Sequence, residues 1–140
     1  MLLIDASIAC KWYLDEADSE QARAIVGGGD DLVAPDIILP EVANALWRCN
    51  RRGEITAENA AGALKGLEMV FHSLIPTAPI TVAAFELAAS LRHPVYDCVY
   101  LIAARNLGIP MVTADSRLCA VVRGTAWQGV VAPLDVASRR

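Results

Sequence analysis

Five short apolar runs, separated by stretches with helical periodicity, constrain this chain more than any other feature. The expected strands are Met1–Asp5, Leu32–Ala34, Leu74–Ile75, Ile109–Ala114 and Val130–Ala132. Between them lie expected helices at Ser7–Leu14, Ser19–Gly27, Leu39–Arg51, Thr56–Phe71, Thr81–Leu91, Tyr96–Leu107 and Ser116–Arg123. Strands without polar alternation are buried on both faces, and strands joined through helices run parallel. The expected fold is therefore α/β, a three-layer αβα doubly wound parallel sheet. No repeat, linker or low-complexity tract divides residues 1–140, a length that suits one domain with a single core.

Local signals agree with this order. Pro35 stops the second strand, Pro40 fits the first turn of its helix, and Gly53 and Gly108 close helices. Ser19 is a candidate N-cap, and a polar tail follows Ala132. Cys10, Cys49, Cys98 and Cys119 are scattered among apolar residues with no zinc-type spacing. They read as small hydrophobes in a reduced, cytoplasmic protein. The start lacks a basic segment ahead of its apolar run, unlike a signal peptide. The uncharged stretch from Met69 to Phe85 is broken by Pro76 and Pro79, so no membrane association is expected.

In a doubly wound sheet, ligands bind beyond the C-terminal strand ends, and four carboxylates stand out there. Asp5 ends the strand LLI and Asp115 ends the strand in MVTADS. Glu41 sits in the apolar helix ILPEVANAL, and Asp97 opens the helix YDCVYLIAA. Taken singly, each has an ordinary explanation. Asp5, Asp97 and Asp115 suit helix N-caps, and Glu41 suits a first helical turn or a solvated face. Taken together, strand ends and helix starts fall on the same edge of a parallel sheet, so the four converge. Their repulsion is tolerable with a divalent cation among them. With only two histidines, His72 and His93, the hard oxygen set points to Mg2+ or Mn2+. Asp36, Glu86 and Asp135 have simpler roles in a turn, on a solvated helix face and in the tail. His72 is read as structural and His93 as a loop residue before Pro94.

The segments IDASIACKWYL, PEVANAL, YDCVYLIAA and MVTAD, in this order, resemble the PIN domain family, and within it the VapC toxins of bacterial toxin–antitoxin pairs. The likeness runs from Leu3 to about Val131. It implies a single PIN-like domain acting as a Mg2+-dependent endoribonuclease, the toxin of a type II pair, restrained by a cognate antitoxin protein. It also implies a homodimer. The family's catalytic acids fall on Asp5, Glu41, Asp97 and Asp115. Its supporting residues fall on Ser7, Asn44 and Thr113. Asp5, Asp97 and Asp115 are expected at the metal, Asp5 and Asp97 as direct ligands and Asp115 through water or on a second ion. Glu41 is expected to orient or deprotonate the attacking water, or to hold that second ion. The segment between Ala120 and Gly129 departs from the family pattern.

Twelve Lys and Arg against sixteen Asp and Glu leave a net charge of -4, which argues against a large basic nucleic-acid surface. Setting aside the four acids leaves -4 + 4 = 0 for the rest of the chain. Such a chain would meet RNA through the metal and a few local cations among Lys11, Arg48, Arg51, Arg52, Arg105 and Arg117. Trp12, Tyr13, Leu14, Leu46 and Trp47 are candidates for an antitoxin groove or for core. A phosphotransfer receiver needs adjacent acids after the first strand, but Asp5 is followed by Ala6 and Ser7. A haloacid dehalogenase needs Asp at position 7. The remaining alternative is a non-catalytic PIN-like module that binds RNA or a partner without cutting.

Overall fold

A computed structural model describes residues 1–137. Five strands, β1 (Leu2–Ile4), β2 (Leu32–Pro35), β3 (Ser73–Ile75), β4 (Met111–Thr113) and β5 (Val131–Pro133), form one sheet in the order β3-β2-β1-β4-β5. Every pairing is parallel; Leu3 sits opposite Val33 on one side and Met111 on the other. The helices are α1 (Ala6–Tyr13), α2 (Ser19–Val26), α3 (Ile38–Arg51), α4 (Ala57–Val70), α5 (Thr81–Leu91), α6 (Val95–Leu107), α7 (Ser116–Val122) and α8 (Leu134–Ala137). They flank the sheet, as the alternation of elements predicts.

The order of strands has a consequence for function. The chain winds outward from β1 through β2 to β3, then crosses back to β4 on the other side of β1. The winding reverses between β1 and β4, and the loops leaving two such neighbours part to open a crevice. All three residues of β1 are buried, and so are all three of β4. Asp5 follows β1 directly and Asp115 follows β4 after one residue, which brings both to the crevice.

Core positions follow helical periodicity. On α3, Ile38, Val42, Leu46 and Cys49 are buried while Glu41, Asn44 and Arg48 lie on the other face. Helix α6 buries Cys98, Val99, Tyr100, Leu101, Ala103 and Ala104, and packs against α5 and the three central strands. Gly108 ends it in the left-handed region, with φ of 65°, a conformation that favours glycine. Among the described residues no helix is long and apolar enough to cross a membrane.

Several local expectations change. Ser19 is the first residue of α2 rather than its cap; its buried hydroxyl donates to the Leu14 carbonyl and accepts from the Glu16 N–H, and Asp18 takes the cap position. The fourth strand is shorter than the apolar run Ile109–Ala114, because Ile109 and Pro110 only lead into it. After β5 the chain does not run into a polar tail at once. It makes the short helix α8, whose Leu134 and Ala137 are buried and which packs against α2.

Candidate active site

Asp5 is the anchor of the site. Its backbone N–H donates to the Val112 carbonyl, which extends the β1–β4 pairing past the strand end. Its Oδ1 accepts from the Ser7 hydroxyl at 2.6 Å and from the Ile8 N–H at 3.2 Å, capping α1, and its Oδ2 accepts from the Thr113 hydroxyl. Ser7 in turn accepts from the Ala114 N–H at 2.9 Å, and Thr113 from the Asp115 N–H at 3.0 Å. Two small hydroxyls thus lace the end of β1 to the end of β4. Only 5% of Asp5 is exposed. Burial raises its carboxyl from 3.8 to about 6, against the pull of its three donors, and the Asp97 charge pushes the same way.

The other three acids share a second arrangement, in which the protein holds one carboxylate oxygen and leaves the other. Glu41 Oε2 accepts from the Tyr100 hydroxyl. Asp97 Oδ2 lies 2.6 Å from His93 Nε2, one turn away along the chain. Asp115 Oδ1 accepts from the Arg117 and Leu118 N–H groups at 2.8 and 3.1 Å, capping α7. Among the described residues, Glu41 Oε1, Asp97 Oδ1 and Asp115 Oδ2 have no protein hydrogen-bond partner. Such tethering fixes the rotamer of a carboxylate while leaving it a ligand oxygen.

Electrostatically, Asp97 is the hub. Burial raises its carboxyl above the usual range, His93 pulls it down, and the Asp115 charge pushes it up. Its own charge raises Asp5 and also Glu41, where burial is again the larger cause and the Tyr100 hydrogen bond opposes it. The capping explanations are correct for Asp5 and Asp115 but not for Asp97. Pro94 holds the cap position of α6, and Asp97 sits within its first turn, bonded to His93.

Two residues that matter here were read otherwise or passed over in the sequence. His93, expected in a loop, has a side chain only 7% exposed against Asp97; its i, i+4 spacing to Asp97 across the helix start was the available signal. Tyr100, whose place in an apolar helix gives no signal of its own, is 1% exposed and spends its hydroxyl on Glu41. Burial beside Glu41 pushes its phenol upward, so it stays neutral and donates.

Asn44 and Glu41 line one cavity of about 480 Å³ with Ser7 and Cys10 of α1, Arg48 and Tyr96. Of the candidate cations, Lys11 is engaged by the Ala17 carbonyl and Glu16, and Arg52 by Glu54. Arg51 lies over Trp47 and Arg105 over Trp127. Arg48, in the cavity, and Arg117, whose charge acts on Asp97, are the two left beside the acids. The candidate groove residues separate: Leu14 and Leu46 belong to the core, Trp12 and Tyr13 are half-buried, and Trp47 is exposed. Asp36 accepts from Thr77 and ties the loop after β2 to the segment after β3, Glu86 is exposed, and Asp135 lies on α8. The cysteines are unpaired.

The donor set suits a hard divalent ion. Among the described residues no three acids, histidines or cysteines are gathered closely enough to cage an ion by themselves. Mg2+ does not require such a cage, because it keeps several waters and binds through one or two carboxylates. Buried Asp5 and half-buried Glu41, Asp97 and Asp115 place like charges near one another, a repulsion that a cation would relieve.

Fold and site together define an α/β protein that gathers carboxylates at the switch point of a parallel sheet. A family model for the PIN domain matches residues 2–124, and the chain belongs to the PIN domain family. It is 34% identical to Ribonuclease VapC3 of Pyrobaculum aerophilum over 119 residues, 84% of this chain and 91% of that protein. It is 37% identical to Ribonuclease VapC1 of Mycobacterium tuberculosis over 89 residues, 62% of this chain and 65% of that one. Two solved structures share the fold. PAE2754 from Pyrobaculum aerophilum superposes with a TM-score of 0.73 at 22% identity, covering 99% of this chain and 93% of that one. The sarcin-ricin loop cleaving toxin VapC20 of Mycobacterium tuberculosis does so with 0.67 at 16% identity, covering 91% and 98%.

Proposed function

We propose that the protein is a Mg2+-dependent endoribonuclease, active with Mn2+ as well, and the toxin of a toxin–antitoxin pair. The observation that carries this reading is Asp5, buried and raised to about 6 at the switch point, with Asp97 as the common neighbour of Asp5, Glu41 and Asp115. The ribonuclease names of its relatives support it. Asp5, Asp97 and Asp115 would hold the ion. The chemistry that ion supplies when bound is a more acidic water and neutralised phosphate charge. Glu41, held by Tyr100 at one oxygen, orients the attacking water and accepts its proton at the other. Ser7 and Thr113 keep the Asp5 carboxylate in place, His93 does the same for Asp97, and Arg117 offers a cation to the phosphate.

A cognate antitoxin protein would restrain the enzyme in the cytoplasm, where its free thiols persist, and a homodimer is the expected form. Light scattering of the purified chain tests the dimer. The activity test is cleavage of a panel of structured RNAs by purified protein with Mg2+ and with excess EDTA. Cleavage that EDTA abolishes and Asp97→Asn lacks is the expected result. Binding without cleavage under every metal condition would instead make the protein a binding module.

A further inference from the structure

The cavity beside Glu41 contains groups that neither the fold nor the metal requires. Along α3, Glu41, Asn44, Ala45 and Arg48 fall at i, i+3, i+4 and i+7, one face of the helix, and all four line the cavity. Tyr96, the residue before Asp97, contributes the α6 side and is 60% exposed. Arg48 is exposed and belongs to no ion pair among the described residues, whereas Lys11, Arg23 and Arg52 each have a carboxylate partner. Two helical turns separate Glu41 from Arg48, about 10 Å along the axis, so the acid and the cation serve different points of a ligand. The cavity therefore presents a carboxylate at the catalytic end, a guanidinium farther along, an amide between them and an open aromatic ring.

We propose that this cavity is the subsite for a nucleotide adjoining the cut phosphodiester of single-stranded RNA. Arg48 takes that nucleotide's phosphate, Tyr96 stacks on its base, and Asn44 hydrogen-bonds its base or ribose edge. The proposal rests on the ribonuclease reading above and adds where the chain is gripped. A guanidinium fork matches phosphate oxygens, and an exposed ring accepts any base face. Unpaired nucleotides can splay their bases onto such a ring, whereas a duplex cannot. Charge favours this occupant over a protein segment. A peptide of several acidic residues would meet Glu41, and a basic one would meet Arg48, while a nucleotide offers one anion and one flat ring to one cation and one ring. The subsite explains how a chain of net charge -4 holds RNA without a basic surface.

The test measures binding and cleavage of a labelled single-stranded RNA that the wild type cuts. Binding is followed by fluorescence anisotropy in EDTA, and cleavage in Mg2+. Tyr96→Ala should weaken binding about tenfold and raise KM by a similar factor with kcat little changed. Tyr96→Phe, which keeps the ring, should recover most of that loss. Arg48→Ala should weaken binding and reduce the slope of log affinity against log salt by about 0.7, the signature of one lost phosphate contact on a single strand. An abasic nucleotide at the adjoining position should erase the difference between wild type and Tyr96→Ala. Unchanged affinity and salt slope in both alanine variants, with wild-type cleavage intact, would overturn the subsite and leave the ribonuclease reading standing. A wild type that neither binds nor cuts any RNA would overturn both. Intact RNA binding by the variants alongside lost affinity for an acidic synthetic peptide would assign the cavity to a protein partner and overturn the proposal.

Discussion

Replacing Asp5 by Asn should make the metal-free protein more stable while abolishing cleavage. The two side chains have the same shape. Asn keeps an oxygen for the Ser7 hydroxyl and the Ile8 N–H, and its amide can donate to Thr113 Oγ1. What is lost is a buried negative charge. The Asp5 carboxyl moves from 3.8 to about 6 on folding, chiefly because burial disfavours its ionised form. Below pH 3.8 both folded and unfolded chains carry the proton, and Asp5 contributes nothing. As pH rises above 3.8 the unfolded chain releases the proton first, so stability falls until the folded carboxyl ionises near 6, and then levels off. At about 1.4 kcal/mol per pH unit, the full cost at pH 7.5 is about 3 kcal/mol. Urea unfolding in EDTA, read by tryptophan fluorescence, should show Asp5→Asn more stable by about 1–3 kcal/mol at pH 7.5. The advantage should shrink to a few tenths of a kcal/mol at pH 4. Saturating Mg2+ should stabilise the wild type and leave the variant unmoved. An Asn variant no more stable than wild type in EDTA at pH 7.5, or equally advantaged at pH 4, would refute the claim that Asp5 is a strained charge waiting for a cation.

Other predictions probe the tethers and the core. His93→Ala should weaken Mn2+ binding about 10–100-fold by calorimetry, because it frees the Asp97 carboxylate that His93 orients; unchanged affinity would reduce His93 to packing. Tyr100→Phe removes the hydrogen bond that lowers Glu41, so the Glu41 carboxyl should rise and the acid limb of the cleavage pH profile should move to higher pH. A profile that stays put would remove Glu41 from the proton step. Leu46→Ala, in the fully buried stripe of α3, should cost about 2–5 kcal/mol in the same urea assay without changing Mn2+ affinity per folded molecule.

The features legible in the sequence were those that rest on periodicity and strand order. Unbroken apolar strands between helices required a parallel sheet. A parallel sheet sends every strand end and every following helix start to one edge, and this alone brought Asp5 and Asp115 together. What the sequence did not show depends on side chains reaching between elements. His93 precedes a proline and looks like loop, yet the helix start turns its ring onto Asp97. Tyr100 fits the apolar stripe of α6, and only the approach of α3 reveals that its hydroxyl ends on Glu41. Leu46 and Trp47 are adjacent apolar residues that the sequence treats alike; the helix rotates one into the core and the other into solvent. Asp97 satisfied the composition of a cap, but Pro94 had already set the helix boundary upstream.

The central claim is that these carboxylates, with Asp97 as their hub, bind a divalent ion that RNA cleavage requires. Its most direct test is the Mn2+ concentration dependence of cleavage of one RNA by wild type and by Asp97→Asn. The account predicts no cleavage in EDTA, a saturating rise for the wild type, and an Asn variant that is inactive or needs at least about tenfold more Mn2+. Superimposable curves for the two proteins, or cleavage that persists in EDTA, would contradict it.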